Sequence, residues 1–445
     1  MARILFVQNC NIELYAIMSI ASFVNKRYQI KVSIGPIEKI VEDFRSFKPD
    51  VIGAYVLTKD HSYVLELSKQ IKEINNACLV VLGGPHPTFY KDIIHEENID
   101  AICVGEGEKS ILSLLDRIEN KKDYKDIPSI WMKKNGKIYK NSSGPILESD
   151  EIPLPDRSIY KDYPEIYYSS KVNVICSRGC PYDCAFCQNH GVKKMYGSSF
   201  YRIRDIDSVI QEILLVKKTN KNIKTISFQD DIFGMNKKWL KEFLREYKKK
   251  INIPFYCLLR CDVVSEEIIG LLKDAGCFEI GIGVETGDEK LRSKVLKKKL
   301  KNSAIIKAVT IFKRNKVKFH TFNMFGLPGE DLALAYKTVA FSTEELKADV
   351  VWSAMFQPYP GTEYFSEDTK SKIINPNFDR FKVNYAYNND YKYIQRLQKL
   401  FLLTSKYTII GHFLPILVRL PLDKLYDKVS DFCWHQFYYK RISNQ

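Results

Sequence analysis

VNVICSRGCPYDCAFC (172–187) runs from a short apolar strand, VNVICS (172–177), into a loop carrying Cys180, Cys184 and Cys187. Three cysteines within eight residues, spaced by three and then two, are a metal-ligand spacing, and thiolates are the ligands of iron–sulfur clusters. Four cysteines would close such a cluster, whereas three leave one metal position open, which catalysis at a metal requires. A zinc knuckle is the competing reading, with Cys176 or His190 available as fourth ligand.

Working downstream, the strand at 172 is the first of a series. TISFQD (225–230), FYCLLRC (255–261), EIGIGVE (279–285), FHTFNMFG (319–326) and VVWSAMF (350–356) read as further strands. Amphipathic helices separate them, among them Trp239 to Lys248 and Glu266 to Ala275. Six strand–helix repeats are too few for an eight-fold barrel and predict a partial six-fold one, with its site at the carboxyl ends of the strands.

Upstream lies a second alternating series. ARILFV (2–7), PDVIGAYV (49–56), CLVVLGG (78–84) and AICVG (101–105) are apolar runs of strand length. Between them Leu14 to Asn25, His61 to Asn75 (Val64, Leu65, Leu67, Ile71 and Ile74 on one face) and SILSLLDRI (110–118) read as helices. This pattern predicts a doubly wound parallel sheet whose ligand-bearing loops follow Val56, Leu82 and Val104. The expected division is a first domain at 1–125, a linker at 126–165 with a strand pair turning at Asn135-Gly136, the partial barrel at 166–370 and a helical region at 371–445.

With 45% apolar and 27% charged residues, the 445-residue chain has the composition of a soluble globular protein. Its net charge is +15, from 68 Lys and Arg against 53 Asp and Glu, with Lys scattered over helix faces. No basic stripe interleaved with aromatics is present, so no nucleic-acid partner is expected. The opening MARILFVQNC reads as a strand and not as a leader, which points to a cytoplasmic protein with reduced thiols. Of the eleven cysteines, Cys176, Cys257 and Cys277 read as core packing, and so does Cys261 despite its place beside Arg260. In the tail, FLLTSKYTIIGHFLPILVRLPL (401–422) is interrupted by Lys406, Pro415 and Arg419, which argues against a membrane span. A packed helical cap, a lid for a hydrophobic substrate and a surface contact with a membrane remain as readings of it.

The Cys-x3-Cys-x2-Cys loop, with aromatic Phe186 before its last cysteine and SRG (177–179) ahead of it, resembles the radical S-adenosylmethionine superfamily. The resemblance implies a 4Fe–4S cluster on Cys180, Cys184 and Cys187. Its open iron chelates the amino and carboxylate groups of S-adenosylmethionine, and reductive cleavage gives a 5′-deoxyadenosyl radical that abstracts hydrogen. It further implies that Phe186, Asp230, Asp231, Arg260 and Glu285 contact S-adenosylmethionine. Either aspartate could instead be a helix N-cap. FGLPGE (325–330) and PYPGT (358–362) resemble the loops after the last two strands, and the likeness covers roughly residues 165 to 370.

KPDVIGAYVLT (48–58), VVLGGPHPT (80–88) and AICVGEGE (101–108) resemble the cobalamin-binding domains that precede many such barrels. The resemblance implies a corrin site at Thr58, Gly83, Gly84, His86 and Thr88. The Asp-x-His-x-x-Gly motif of cobalamin mutases is missing, since Asp60 and His61 are adjacent. That leaves cobalt without a protein histidine, or the domain as a scaffold without cobalamin. Cys10, Cys78 and Cys103 fall in or beside apolar runs, and no β-rich domain follows the barrel, which separates the chain from the tRNA methylthiotransferases.

The function so implied is a cobalamin-dependent methyltransferase acting on an unreactive carbon of a small-molecule or lipid-like substrate. An external one-electron donor of flavodoxin or ferredoxin type would serve it, and a peripheral membrane contact is kept as a reading. Ring formation or another radical rearrangement without methyl transfer is the alternative. A non-enzymatic cobalamin or iron–sulfur sensor is the alternative from another class. No residue of the chain is assigned a direct catalytic role.

Overall fold

The computed structural model describes residues 1–24, 27–374 and 389–439. Among the described residues two compact units form: one from 1–24, 27–169, 186–222 and 359–374, the other from 170–185, 223–358 and 389–439. The units therefore do not follow the linear boundaries expected from the sequence.

The first unit is built on a seven-stranded sheet of β1 (Arg3–Gln8), β2 (Gln29–Ile34), β3 (Val51–Tyr55), β4 (Leu79–Gly83), β5 (Ala101–Cys103), β6 (Ile130–Lys134) and β7 (Lys137–Lys140), in the order 2-1-3-4-5-6-7. The first five strands pair in parallel. Their apolar runs have no polar alternation because both faces are covered. Ile4, Phe6, Val51, Val81 and Ala101 point into one core, and Leu5, Val7, Ile52, Val80 and Ile102 into the other. Gly53 has no side chain because the Phe6 ring lies 2.8 Å from where its Cβ would be. The strand pair placed in the linker turns out to extend this sheet, β5 pairing antiparallel with β6 and β6 with β7. Asn135 (φ 51) and Gly136 (φ 71) make the expected tight turn. The strand order reverses between β1 and β3, which makes the carboxyl ends of these two strands the switch point at which such sheets receive ligands.

The second unit holds β8 (Lys171–Val174), β9 (Thr225–Phe228), β10 (Phe255–Leu259), β11 (Cys277–Glu285), β12 (Lys318–Phe325) and β13 (Val350–Met355). They lie side by side in chain order, all parallel, as an open half-barrel. Phe228, Phe233, Phe243, Tyr247 and Phe255 pack together behind the early strands, with ring centroids 4.6–6.3 Å apart. Asn236, Ser265, Asp288 and Asp331 cap the following helices through their side chains, fixing where each loop ends.

The tail is helical at Tyr391–Lys406, Ile409–Leu417 and Asp423–Cys433. Tyr391–Lys406 packs on the half-barrel, with Phe401 edge-on to Phe325 and Gln398 donating to Ser353. Parts of the expected helical region, 375–388 and 440–445, lie outside the described residues, as does Asn25 at the end of the first expected helix. Among the described residues no helix is long and apolar enough to cross a membrane.

Candidate active site

The cysteine loop begins past the end of β8. Cys180 and Cys184 belong to the second unit, and the chain passes into the first with Phe186 and Cys187. These three cysteines are partly exposed, as is Cys10, whereas the other seven are buried. Burial pushes the Cys180 thiol up to about 11 and also raises Cys184. The charges of Lys298 and Arg260 act in the opposite sense on Cys184 and would favour its thiolate once a metal is present. The fourth ligand of a zinc knuckle would have to be Cys176, 1% exposed, or His190, 9% exposed. Three partly exposed thiols, two of them under the influence of Arg260, have the chemistry of an anionic cluster held by three cysteines.

Arg260, just past β10, sits over the Tyr182 ring with its guanidinium 3.9 Å from the centroid. Its Nε donates to both oxygens of Asp262 at 2.9 Å and its Nη2 to the Lys299 carbonyl at 3.0 Å. A ligand carboxylate would therefore meet a guanidinium already oriented, but shared with Asp262. Asp230 is buried at the end of β9, where it accepts from the Ser177 hydroxyl at 2.5 Å and from the Cys176 amide at 3.1 Å. Burial raises its carboxyl to about 6. It fastens the root of the cysteine loop, while Asp231 is exposed. Neither is a helix N-cap: the next helix starts at Lys237, capped by Asn236.

Glu285 closes β11 with φ 65, a left-handed backbone that a glutamate rarely adopts, at a register shift against β12. Its Oε1 accepts from Lys298 Nζ at 2.8 Å, and the same ammonium donates to the Gly283 carbonyl at 2.8 Å. A Cβ on Gly283 would stand 2.3 Å from Glu285 Oε1 and 2.5 Å from Lys298 Nζ. Glycine is thus the condition for this ion pair. Lys298 carries no signal of this role in the sequence, where the run LKKKL (296–300) has nothing to set it apart from its neighbours.

A second group missed in the sequence lies lower on the inner face of the half-barrel. His320 Nδ1 is 2.8 Å from Glu279 Oε1, and Tyr256 OH is 3.3 Å from His320 Nε2, the two rings being stacked. The hydrogen bond and the ring stack come from β10, β11 and β12 at positions whose alternation was legible, but whose partners depend on register.

In the first unit, Thr58, Gly83, Gly84, His86 and Thr88 come together at the ends of β3 and β4. Gly84 has φ 94, and a Cβ there would crowd Tyr55 and Val56 N at 3.1 Å. Thr88 donates to the Gly84 carbonyl at 2.8 Å and accepts from Gly105 N at 3.1 Å, tying the two loops together. His86 is 1% exposed, within hydrogen-bond distance of His61 at 3.0 Å and of Thr58 at 3.2 Å. Burial and the neighbouring His61 lower it to about 3, so it is neutral. It lies inside the fold, out of contact with solvent. Thr58, Gly83 and Gly84 are the partly exposed members. Open backbone at a glycine turn, backed by two histidines engaged with each other, fits a flat macrocycle whose metal draws no histidine from this loop.

Residues 174–341 match the family model of the radical SAM superfamily, and residues 16–115 that of the B12 binding domain. The chain is a radical S-adenosylmethionine enzyme with a cobalamin-binding domain. Among relatives of this radical enzyme, an uncharacterized methyltransferase of Pyrococcus horikoshii is 29% identical over 369 residues, covering 80% of this chain and 78% of the relative. The anaerobic magnesium-protoporphyrin IX monomethyl ester cyclase of Rubrivivax gelatinosus is 26% identical over 347 residues, 74% of this chain and 60% of the relative. The fold is that of the radical S-adenosylmethionine methyltransferase TsrM from Kitasatospora setae, solved with cobalamin and a 4Fe–4S cluster bound. The TM-score is 0.67 at 18% identity, over 82% of this chain and 77% of that one. The cofactor set of the family is a 4Fe–4S cluster, S-adenosylmethionine and cobalamin. A small-molecule substrate and an external electron donor are in keeping with enzymes of this kind.

Proposed function

We propose that this enzyme transfers a methyl group to an unreactive carbon of a small or lipid-like molecule. When bound, the cluster with S-adenosylmethionine supplies a 5′-deoxyadenosyl radical, and methylcobalamin supplies the methyl group. Cys180, Cys184 and Cys187 would hold the cluster. Arg260 would face the carboxylate of S-adenosylmethionine, Asp231 and Glu285 its amino group or ribose, and Phe186 would pack beside it. Asp230 positions the loop from behind. Thr58, Gly83 and Gly84 would receive the corrin, with His86 and Thr88 holding the loops in shape. Tyr256 and His320 would line the substrate's path inside the half-barrel, which the apolar Phe322 and Trp352, their rings 5.6 Å apart, keep poor in water.

The single observation that carries the reading is the pair of partly exposed cysteines Cys180 and Cys184 with the charges of Arg260 and Lys298 acting on Cys184, in a chain with a B12 binding domain. Similarity to the Pyrococcus methyltransferase favours methyl transfer, and similarity to the Rubrivivax cyclase supports ring formation as the second reading. The electron donor would be a flavodoxin or ferredoxin. The enzyme would work in the cytoplasm, in peripheral contact with a membrane, a reading supported by apolar side chains exposed in its C-terminal helices.

The test is anaerobic incubation of reconstituted enzyme with S-adenosylmethionine and a strong reductant. Wild type forms 5′-deoxyadenosine, and Cys184→Ala forms none and lacks the brown absorbance of a cluster. Cleavage retained by Cys184→Ala would remove the cluster assignment.

A further inference from the structure

The Ile409–Leu417 helix turns its apolar stripe outward. Ile409, Phe413, Ile416 and Leu420 recur at helical spacing and are 65%, 53%, 62% and 39% exposed. Within the helix Leu414 alone is buried. A helix in a water-soluble surface does the opposite. Beside it, Leu425 and Phe432 on the Asp423–Cys433 helix are 50% and 59% exposed, and Leu422 between the helices is 42% exposed. Seven large apolar side chains from one stretch of chain exceed the scattered exposure usual on a soluble surface.

Basic groups predominate around this face. Arg419, Lys424 and Lys428 are exposed, and on a helical projection Lys424 and Lys428 fall on the same side as Leu425 and Phe432. Of the acids in the same helix, Asp423 is taken by Arg396 at 2.7 Å and Asp427 by Lys399 at 2.5 Å, leaving Asp431. Lysine is depleted at protein interfaces. Lysine and arginine flanking exposed Phe, Leu and Ile are instead the composition of helices that lie in a bilayer interface. Nine residues rise only about 14 Å, so the helix can lie on a bilayer and not cross it.

We infer that the outward face of the Ile409–Leu417 and Asp423–Cys433 helices seats this enzyme on an anionic lipid bilayer, its apolar side chains at the acyl boundary and Arg419, Lys424 and Lys428 among the headgroups. This rests on the peripheral membrane contact proposed above and names the surface and the lipid charge that make it.

The experiment is flotation of the full chain with vesicles of phosphatidylcholine alone, or with about three-tenths phosphatidylglycerol, at low and high salt. The wild type floats with the phosphatidylglycerol vesicles, less so at high salt. The triple variant Ile409→Asp, Phe413→Asp, Ile416→Asp loses roughly tenfold or more of the binding. The variant Arg419→Glu, Lys424→Glu, Lys428→Glu, which leaves the apolar stripe intact, loses the preference for phosphatidylglycerol. All these side chains are exposed, so the variants should keep the fold, and far-ultraviolet circular dichroism checks it. The Asp variant forms 5′-deoxyadenosine in solution as the wild type does, so lipid binding and radical chemistry fail separately. No flotation with either vesicle overturns the membrane contact itself. Flotation that both variants retain leaves the contact standing and overturns this surface as its cause. A wild-type dimer that the Asp variant converts to monomer, without flotation, assigns the face to a second copy of the chain and overturns the inference.

Discussion

Gly283→Ala is the substitution that most sharply tests the top of the half-barrel. Its Cβ would lie 2.3 Å from Glu285 Oε1 and 2.5 Å from Lys298 Nζ, where ordinary contact begins near 3.4 Å. Each partner must retreat by about 1 Å, which stretches the 2.8 Å ion pair to roughly 4.5 Å. With both side chains 10% exposed, an effective dielectric near 20 gives about 6 kcal/mol of attraction at the shorter distance and ~4 kcal/mol at the longer. The loss of about 2 kcal/mol corresponds to roughly thirtyfold in an equilibrium constant.

The control is Gly281→Ala, whose Cβ would be crowded at 2.7–2.8 Å by Leu258, Tyr256 and His320, while neither Glu285 nor Lys298 is among its nearest neighbours. Both variants should unfold at lower denaturant than wild type. S-adenosylmethionine binding to the reconstituted enzyme, followed by equilibrium dialysis, should weaken by roughly thirtyfold in Gly283→Ala and far less in Gly281→Ala. Equal loss in the two variants would refute the assignment of the Glu285–Lys298 pair to the cofactor.

Two buried groups give opposite pH trends. Glu330, held at about 8 by burial, keeps its proton in the fold that it loses above 4.5 when unfolded. Its contribution is full below pH 4.5 and declines until pH 8, by about 1.4 kcal/mol per unit. Glu330→Gln should abolish that decline, as read by hydrogen exchange in the second unit. His86, at about 3 in the fold against 6.5 unfolded, works the other way. Its contribution is full above pH 6.5 and falls as the medium is acidified toward 3, at a similar slope. His86→Gln should flatten the acid limb of exchange in the first unit. A limb unchanged in either variant contradicts the burial described for that residue.

Much of the architecture was legible because it rests on local patterns. Continuous apolar runs such as LVVLG declared strands covered on both faces, and glycines 83, 84 and 136 marked where chains turn. The cysteine loop was legible because its three cysteines lie within eight residues. Lys298 was not, since it reaches Glu285 across thirteen positions and depends on the absence of a side chain at Gly283. Asp230 was placed at the right strand end, but its carboxylate faces Ser177 and Cys176, a direction that spacing alone does not specify. His86 is one of the residues the resemblance marks for the corrin site, but its contact with His61 holds it inside, and that pairing has no signal in the sequence. The association of segments 186–222 and 359–374 with the first unit had no sequence signal, because it depends on contacts made far along the chain.

The most direct test of the two-cofactor account is elemental. The chain is reconstituted anaerobically with iron, sulfide and hydroxocobalamin, passed through gel filtration, and assayed for iron and cobalt. The account predicts about four irons and about one cobalt per chain, with the iron lost in Cys184→Ala and the cobalt retained. Iron without cobalt would contradict the cobalamin site at Thr58, Gly83 and Gly84, and iron retained by Cys184→Ala would contradict the cluster.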